Sequence, residues 1–367
     1  MKRPSNSAIS AGLLFAIFLW GANNAGTKFL VRSWPPIFVG CTRFILAGLI
    51  LLALFRWRQS VLARRNPSAP GRLFLRWTNF LGDQSRLSPE LKSQLWWRGG
   101  LNLAFYIVAF NWALTLTSVT HVALYLGASP VWALLWEEKP GKNWKSFIRY
   151  FAAALAFSGV LVLSWPALKS GSSHLLGEIL ALASSVLWTN YGRQCRALGK
   201  HLSGAEISAH TFWRAGVLVA PITLFEVAMK PLVWRADLVL VQGFCVLASG
   251  VVAFALWNNA LRHWKTSQVY LFNNLIPLST MAWAHLFLDE VITRTFWFAM
   301  LLIVAGVLIG QTNWQKIFGK RWLPAEAFHR SPGRLQRGRF PRDSPFRAEA
   351  RSAGRRQQPA HPRSMSA

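Results

Sequence analysis

The chain has 367 residues, 53% of them hydrophobic and 15% charged, and carries a formal net charge of +28. A soluble chain of this length would fold as about two domains with charged outer faces, but its apolar residues instead run in blocks close to the ~20 needed to cross a bilayer, which excludes that class. Arg and Lys sit between the blocks and in the C-terminal tail, as topology-setting charges do, so the charge does not point to a nucleic-acid partner.

Ten spans are expected, at 8–31, 36–55, 97–116, 118–136, 147–165, 175–192, 206–227, 238–261, 267–288 and 295–311. All should be helices: an open sheet leaves backbone groups unpaired in lipid, and a barrel would show short alternating segments. The first span is too long for a signal-peptide core and lacks a small-x-small cleavage site, so it is expected to stay. It carries Trp20, Asn23, Asn24 and Lys28. The second places Arg43 within an apolar run, and residues 58–95 then form a basic cytoplasmic link containing Pro and Ser.

The third and fourth spans hold Asn111, Trp112, Tyr125 and Pro130. The fourth stops abruptly at "WEEKPGKNW", which sets Glu137 and Glu138 at the cytoplasmic mouth, as a solvated loop end or as an acidic lip on a transport path. Glu178, Trp188 and Asn190 belong to the sixth span, Glu206 and Arg214 to the seventh, and Trp257 and Asn258 to the eighth. The ninth contains Asn273, Asn274, Pro277, Trp283 and His285, with His285 one turn inside the outer end. Residues 319–367, rich in Arg, Pro and Ser, read as a disordered cytoplasmic tail able to meet anionic lipid.

With the N-terminus inside, the cytoplasmic segments hold 33 of the 41 basic residues and the external links five; without the tail the ratio is still 20 to five. Both termini are therefore expected in the cytoplasm. Trp34, Trp57, Trp96, Trp136, Trp165, Trp264 and Trp314 stand at span ends, as interfacial aromatics do.

Charge inside a span is expensive, so Arg43 and Arg214 need partners. Ion pairs with Glu178 and Glu206 are one reading, and contact with a substrate or gate is the other. The buried amides can bond between helices or line a cavity. Trp20, Trp112, Tyr125, Trp188, Trp257 and Trp283 can wall that cavity or face lipid. Pro130 and Pro277 would kink their helices mid-span. Cys41, Cys195 and Cys245 lack metal-ligand spacing and form no disulfide framework. No catalytic motif or P-loop is present, so neither an enzyme nor a metal or other cofactor is expected.

The chain repeats itself. "NWAL" (Asn111–Leu114) recurs as "NNAL" (Asn258–Leu261), and at the same offset Val122, Leu124, Pro130 and Gly159 match Val269, Leu271, Pro277 and Gly306. "FLWGANN" (Phe18–Asn24) echoes "VLWTNYG" (Val186–Gly192), with Trp20 on Trp188 and Lys28 on Arg196. Five spans per unit is odd, so the two units would be inserted upside down relative to each other, an arrangement typical of transporters.

The stretches "LWGANNAGTKFLV" (Leu19–Val31), "TRFILAGLILL" (Thr42–Leu52), "NWALTLTSVTHVALYLGASPVW" (Asn111–Trp132), "NNALRHWKTSQVYLFNNLIPLSTMAWAHLFLDEVI" (Asn258–Ile292) and "AGVLIG" (Ala305–Gly310) resemble the EamA-type drug/metabolite transporter superfamily over about residues 8–316. The resemblance implies an all-α membrane protein of ten helices in two inverted five-helix repeats, 1–165 and 175–318, followed by the tail 319–367. It implies a cavity among spans 1–4 and 6–9, with spans 5 and 10 peripheral. It also implies export or exchange of small metabolites, amino acids or amphipathic amines, in the plasma (inner) membrane. The link 58–95 and the tail are longer than that pattern needs, and the fourth span lacks its Leu-Gly-Glu ending. Trp20, Asn23, Arg43, Asn111, Tyr125, Trp188, Asn190, Arg214, Asn258, Asn274 and His285 are the candidate pathway residues, with Glu137 and Glu138 at a mouth. The partners expected are the bilayer and a small-molecule substrate; oligomeric state is left open. A membrane-embedded enzyme acting on a lipid-linked substrate, and a scaffold or sensor with a lipid-binding tail, are the rival readings.

Overall fold

A computed structural model describes residues 6–64, 68–81, 87–137, 144–170, 172–264, 269 and 272–312. Its regular structure is helical throughout, with no strand among the described residues. The helices are α1 (Asn6–Val31), α2 (Pro36–Leu62), α3 (Ala69–Trp77), α4 (Pro89–Gln94), α5 (Leu101–Leu116), α6 (Val119–Gly127), α7 (Ser129–Glu137), α8 (Trp144–Ser170), α9 (Ser172–Leu198), α10 (Gly204–Met229), α11 (Ala236–Phe244), α12 (Phe254–His263), α13 (Ile276–Leu288) and α14 (Arg294–Gln311). Among the described residues, six helical runs are long and apolar enough to cross a membrane. Tail residues 319–367 and Glu138 lie outside the described residues.

Local chemistry sets the helix boundaries. Pro36 opens α2, where its missing N–H would be unpaired anyway. Ser203 and Glu206 form a capping box at the start of α10. The Ser118 and Thr293 side chains accept backbone N–H groups at the starts of α6 and α14. Asp289 ends α13 in the left-handed region, at φ 54.

Two long helical runs contain π-helical turns. Leu95–Gly100 joins α4 to α5, and Cys245–Ala253 joins α11 to α12. Each carries a small-residue pair, Gly99–Gly100 and Ser249–Gly250. A Cβ at Gly100 would stand 3.2 Å from the Arg214 Cβ, and one at Gly250 would stand 2.8 Å from that of Ala47. Widened turns of this kind recur at functional sites.

The main packing partners are α2 with α10, α8 with α14, α5 with α9, and α1 with α13. Glycines permit the close crossings, as small residues do between membrane helices. A Cβ on Gly48 would lie 2.8 Å from the Trp213 amide nitrogen and 3.1 Å from the Ala209 carbonyl oxygen. On the other side of that crossing, Gly216 faces Ile45 and the Cys41 carbonyl. In the second crossing Gly159 faces the Ala299 carbonyl and Ile303, while Gly306 faces the Ala152 carbonyl and Ala156. In both, early residues of one helix meet late residues of the other, so the partners run antiparallel.

One end of the bundle gathers the turns that follow α1, α5, α10 and α13. There the Trp34 indole donates to the Val233 carbonyl at 2.6 Å, Lys28 Nζ to the Leu114 and Thr117 carbonyls, and the Val119 amide to Glu290 Oε1. At the opposite end Arg58 donates to the Leu75 carbonyl and Thr78 Oγ1, and Ser203 Oγ to the Leu81 carbonyl, tying the described part of the 58–95 link to the bundle. Phe15, Leu46, Leu49, Phe105, Leu161 and Leu224 are exposed on the flanks, where a soluble protein would carry charge.

Pro130 and Pro277 each stand at an interruption of the helical ladder, as the start of a new helix rather than inside a continuous one. Each is the second residue of a new helix, α7 and α13, after a break at Ala128 and after the 3-10 turn Phe272–Leu275. In the first turn a proline sacrifices no helical hydrogen bond.

Candidate functional site

Helices α1, α2, α5, α6, α9, α12 and α13 and the second π-helical segment converge on a cavity of ≈ 50 Å³. That space admits a few waters and no metabolite as it stands. Four of the residues expected on a pathway line it: Trp20, Asn23, Arg43 and Trp188. Asn24, Tyr106, Ser249, Gly250 and Phe254 join them.

The polar side of the cavity is built around Arg43, which is 4% exposed. Its Nη1 donates to Asn23 Oδ1 at 3.1 Å and Thr27 Oγ1 at 3.0 Å. Its guanidinium carbon stands 4.8 Å from the Phe44 ring centroid and 5.8 Å from that of Phe110, within cation–π range. Asn24 Nδ2 donates to Thr280 Oγ1 at 3.0 Å, which ties α1 to α13.

The opposite side is aromatic. Trp20 meets Trp188, Phe254 and Trp257 at centroid distances of 6.2, 5.2 and 5.1 Å. Tyr106 continues the wall from Trp188 at 5.4 Å. Ring pairs at such distances pack favourably edge to face or offset.

The other candidate residues lie elsewhere. Asn111 is fully buried and donates to the Ile107 carbonyl against Gly40. Asn190 bonds Asn102, and Asn258 bonds Ser208, each between helices. Asn274 is buried in the 3-10 turn before α13. His285 is exposed, with Nδ1 3.4 Å from the Glu290 carbonyl oxygen. Glu137 is the last residue of α7. Trp112 is exposed, and Trp283 packs on Phe18 and Phe287, so neither walls the cavity.

The expected ion pairs of the two arginines with Glu178 and Glu206 are not formed. Glu178 Oε1 instead accepts from Thr117 Oγ1 at 2.6 Å and lies 2.8 Å from His121 Nδ1, with Tyr125 beside them. Glu206 serves the capping box. Arg214 donates to the His210 carbonyl and stands over the Trp96 and Trp213 rings at 5.3 and 4.4 Å. Aromatic faces and neutral acceptors stand in for the carboxylates, which are already engaged by other partners.

Tyr106 and Phe254 were not singled out in the sequence. The offset relating Asn111 to Asn258 also relates Ile107 to Phe254, one residue from Tyr106, so the repeat register was the available signal.

The EamA-like transporter family matches residues 7–165 and again 175–310. A relative from Archaeoglobus fulgidus, described as an uncharacterized transporter, is 23% identical over 83% of this chain and 97% of its own. One from Escherichia coli, described as a probable amino-acid metabolite efflux pump, is 28% identical over 47% of this chain and 58% of its own. A Chlamydia muridarum protein described as an S-adenosylmethionine/S-adenosylhomocysteine transporter is 24% identical over 83% of this chain and 93% of its own. A crystal structure superposes with a TM-score of 0.54 at 18% identity, covering 86% of this chain and all of that one, which is a likeness of fold. With both halves matched in turn across most of its length, the chain belongs to the EamA-like transporter family.

Proposed function

We propose that this protein is a secondary transporter that moves a small metabolite across the plasma (inner) membrane by alternating access. In this reading ten spans form two inverted halves, 1–165 and 175–318, with both termini cytoplasmic, and transport runs outward. The cavity lined from both halves carries the proposal: Trp20 and Arg43 come from the first, Trp188 and Phe254 from the second.

Reciprocal contacts support the inverted repeat. The offset of 168 that relates Trp20 to Trp188 also relates Phe44, Ala47 and Gly48 to Phe212, Ala215 and Gly216. The mates Phe44 and Phe212 touch each other, with centroids 5.0 Å apart. Gly48 faces Ala209 and Trp213 while Gly216 faces their mates, Cys41 and Ile45. At the offset of 147, Gly159 faces Ala299 and Ile303 while Gly306 faces their mates, Ala152 and Ala156. An antiparallel crossing whose contacts exchange under one operation is what a two-fold axis in the membrane plane produces. The E. coli relative's description as an efflux pump supports the outward direction.

The test is counterflow in proteoliposomes against a panel of amino acids, amines and organic acids, with and without a proton gradient. Accumulation of a panel member above empty liposomes is expected. No counterflow with any of them, from protein that is monodisperse and folded, would reject the reading.

A further inference from the structure

We infer that the cavity takes an organic anion, a monocarboxylate with a planar apolar body, in preference to an amine. The inference rests on the transporter reading and adds a substrate class to it.

Arg43 is the charged residue of the cavity lining, and no carboxylate lines it among the described residues. Its Nη1 donates to Asn23 and Thr27, both neutral. Four glutamates of the bundle are engaged elsewhere: Glu178 with Thr117 and His121, Glu206 in its capping box, Glu226 with the Ile37 amide, and Glu290 with the α6 amides. A buried guanidinium without a counter-ion is costly, and its planar fork matches a carboxylate in two parallel hydrogen bonds. An entering carboxylate would supply the missing charge, whereas an ammonium group would add a second positive charge to the same small space. Trp20, Trp188, Phe254 and Tyr106 then offer faces and edges to a flat apolar body.

The repeat shows that this polarity is particular to one half. Asn23 and Arg43 map, at the offset of 168, onto Tyr191 and Thr211. Those two meet as well, hydroxyl to hydroxyl at 2.8 Å, but without charge. The scaffold therefore accepts a neutral pair at this position, so the first half's charge is not a requirement of the packing.

Three ligands with one indole body separate the cases: indole-3-propionate (anion), tryptophan (zwitterion) and tryptamine (cation). Their binding to the purified full-length protein is measured by equilibrium dialysis. Indole-3-propionate is expected to bind about ten-fold or more tighter than tryptamine, with tryptophan between. Arg43→Gln should bring the two extremes within about twofold, and Arg43→Lys should keep their order. Equal or tighter binding of tryptamine to the wild-type protein, absence of binding by all three ligands, or a preference that survives Arg43→Gln would overturn the inference. The wild-type comparison decides even where Arg43→Gln does not fold. Counterflow that persists without charge preference would sink the anion assignment alone, whereas absent counterflow would sink the transporter reading.

Discussion

Asn23 accepts from the buried guanidinium of Arg43, whereas Tyr191, which the proposed repeat aligns with it, meets the neutral Thr211 hydroxyl, so equivalent substitutions should have unequal effects. Tyr191→Phe removes the neutral hydroxyl contact with Thr211 and should lower stability by about 1 kcal/mol. Asn23→Leu strips Arg43 of an acceptor and should cost more, about 1.5–3 kcal/mol, as for a bond to a charged group. Thermal melting of the purified variants checks both, and equal losses would contradict the reading of an uncompensated charge. At this scale the sequence discloses polarity better than orientation. Arg43, Asn23 and Trp20 stand out because charge, amide and bulk are unusual within an apolar run. Tyr106 does not stand out, because its neighbour Phe105 is just as aromatic yet 57% exposed, while Tyr106 is 7% exposed. In lipid an outward ring is as comfortable as an inward one, so apolarity no longer reports burial.

The helix crossings and breaks give the next predictions. Gly48→Val would press a branched side chain onto the Trp213 amide, where only backbone movement can relieve it. A loss of at least the ~1–3 kcal/mol of ordinary overpacking is expected, read as reduced melting temperature and reduced yield of monodisperse protein. Pro277→Ala should be nearly silent in the same assay, within about 1 kcal/mol, because Pro277 already stands in a first turn; a large loss would show that the ring itself is needed. Asp289→Gly should raise stability modestly, by about 0.5–1 kcal/mol, since glycine carries no penalty at φ 54. Span positions were legible from hydropathy and repeat periodicity. The breaks before Ser129 and Ile276 were less so: a proline marks both, but a kink inside one helix and the start of a second leave the same letter in the sequence. The π-helical turns left only the small pairs Gly99–Gly100 and Ser249–Gly250, which also suit plain close packing.

For the whole molecule, the charge asymmetry of the links makes the orientation testable. A cysteine replacing Ser68 should be labelled by an impermeant maleimide only after the membrane is opened, and one replacing Val233 should be labelled in intact cells. The reverse pattern would invert the topology. Removing residues 319–367 should leave counterflow in place, and its complete loss would favour the scaffold or sensor reading. Both crossings, α2 with α10 and α8 with α14, are self-complementary: each presents to its partner the surface that the partner presents back. Such a surface would suit two separate copies of one half-length chain, inserted in opposite senses, as well as it suits one fused polypeptide. The consequence is historical as well as physical. The fold is compatible with descent from a dual-orientation homodimer, and the charge on Arg43, which Thr211 lacks, is a difference that a homodimer, carrying every residue twice, does not permit. Halves severed between 165 and 172 and co-expressed should therefore reassemble into a functional pair, whereas two copies of the first half would place Arg43 on both sides of the cavity and repel.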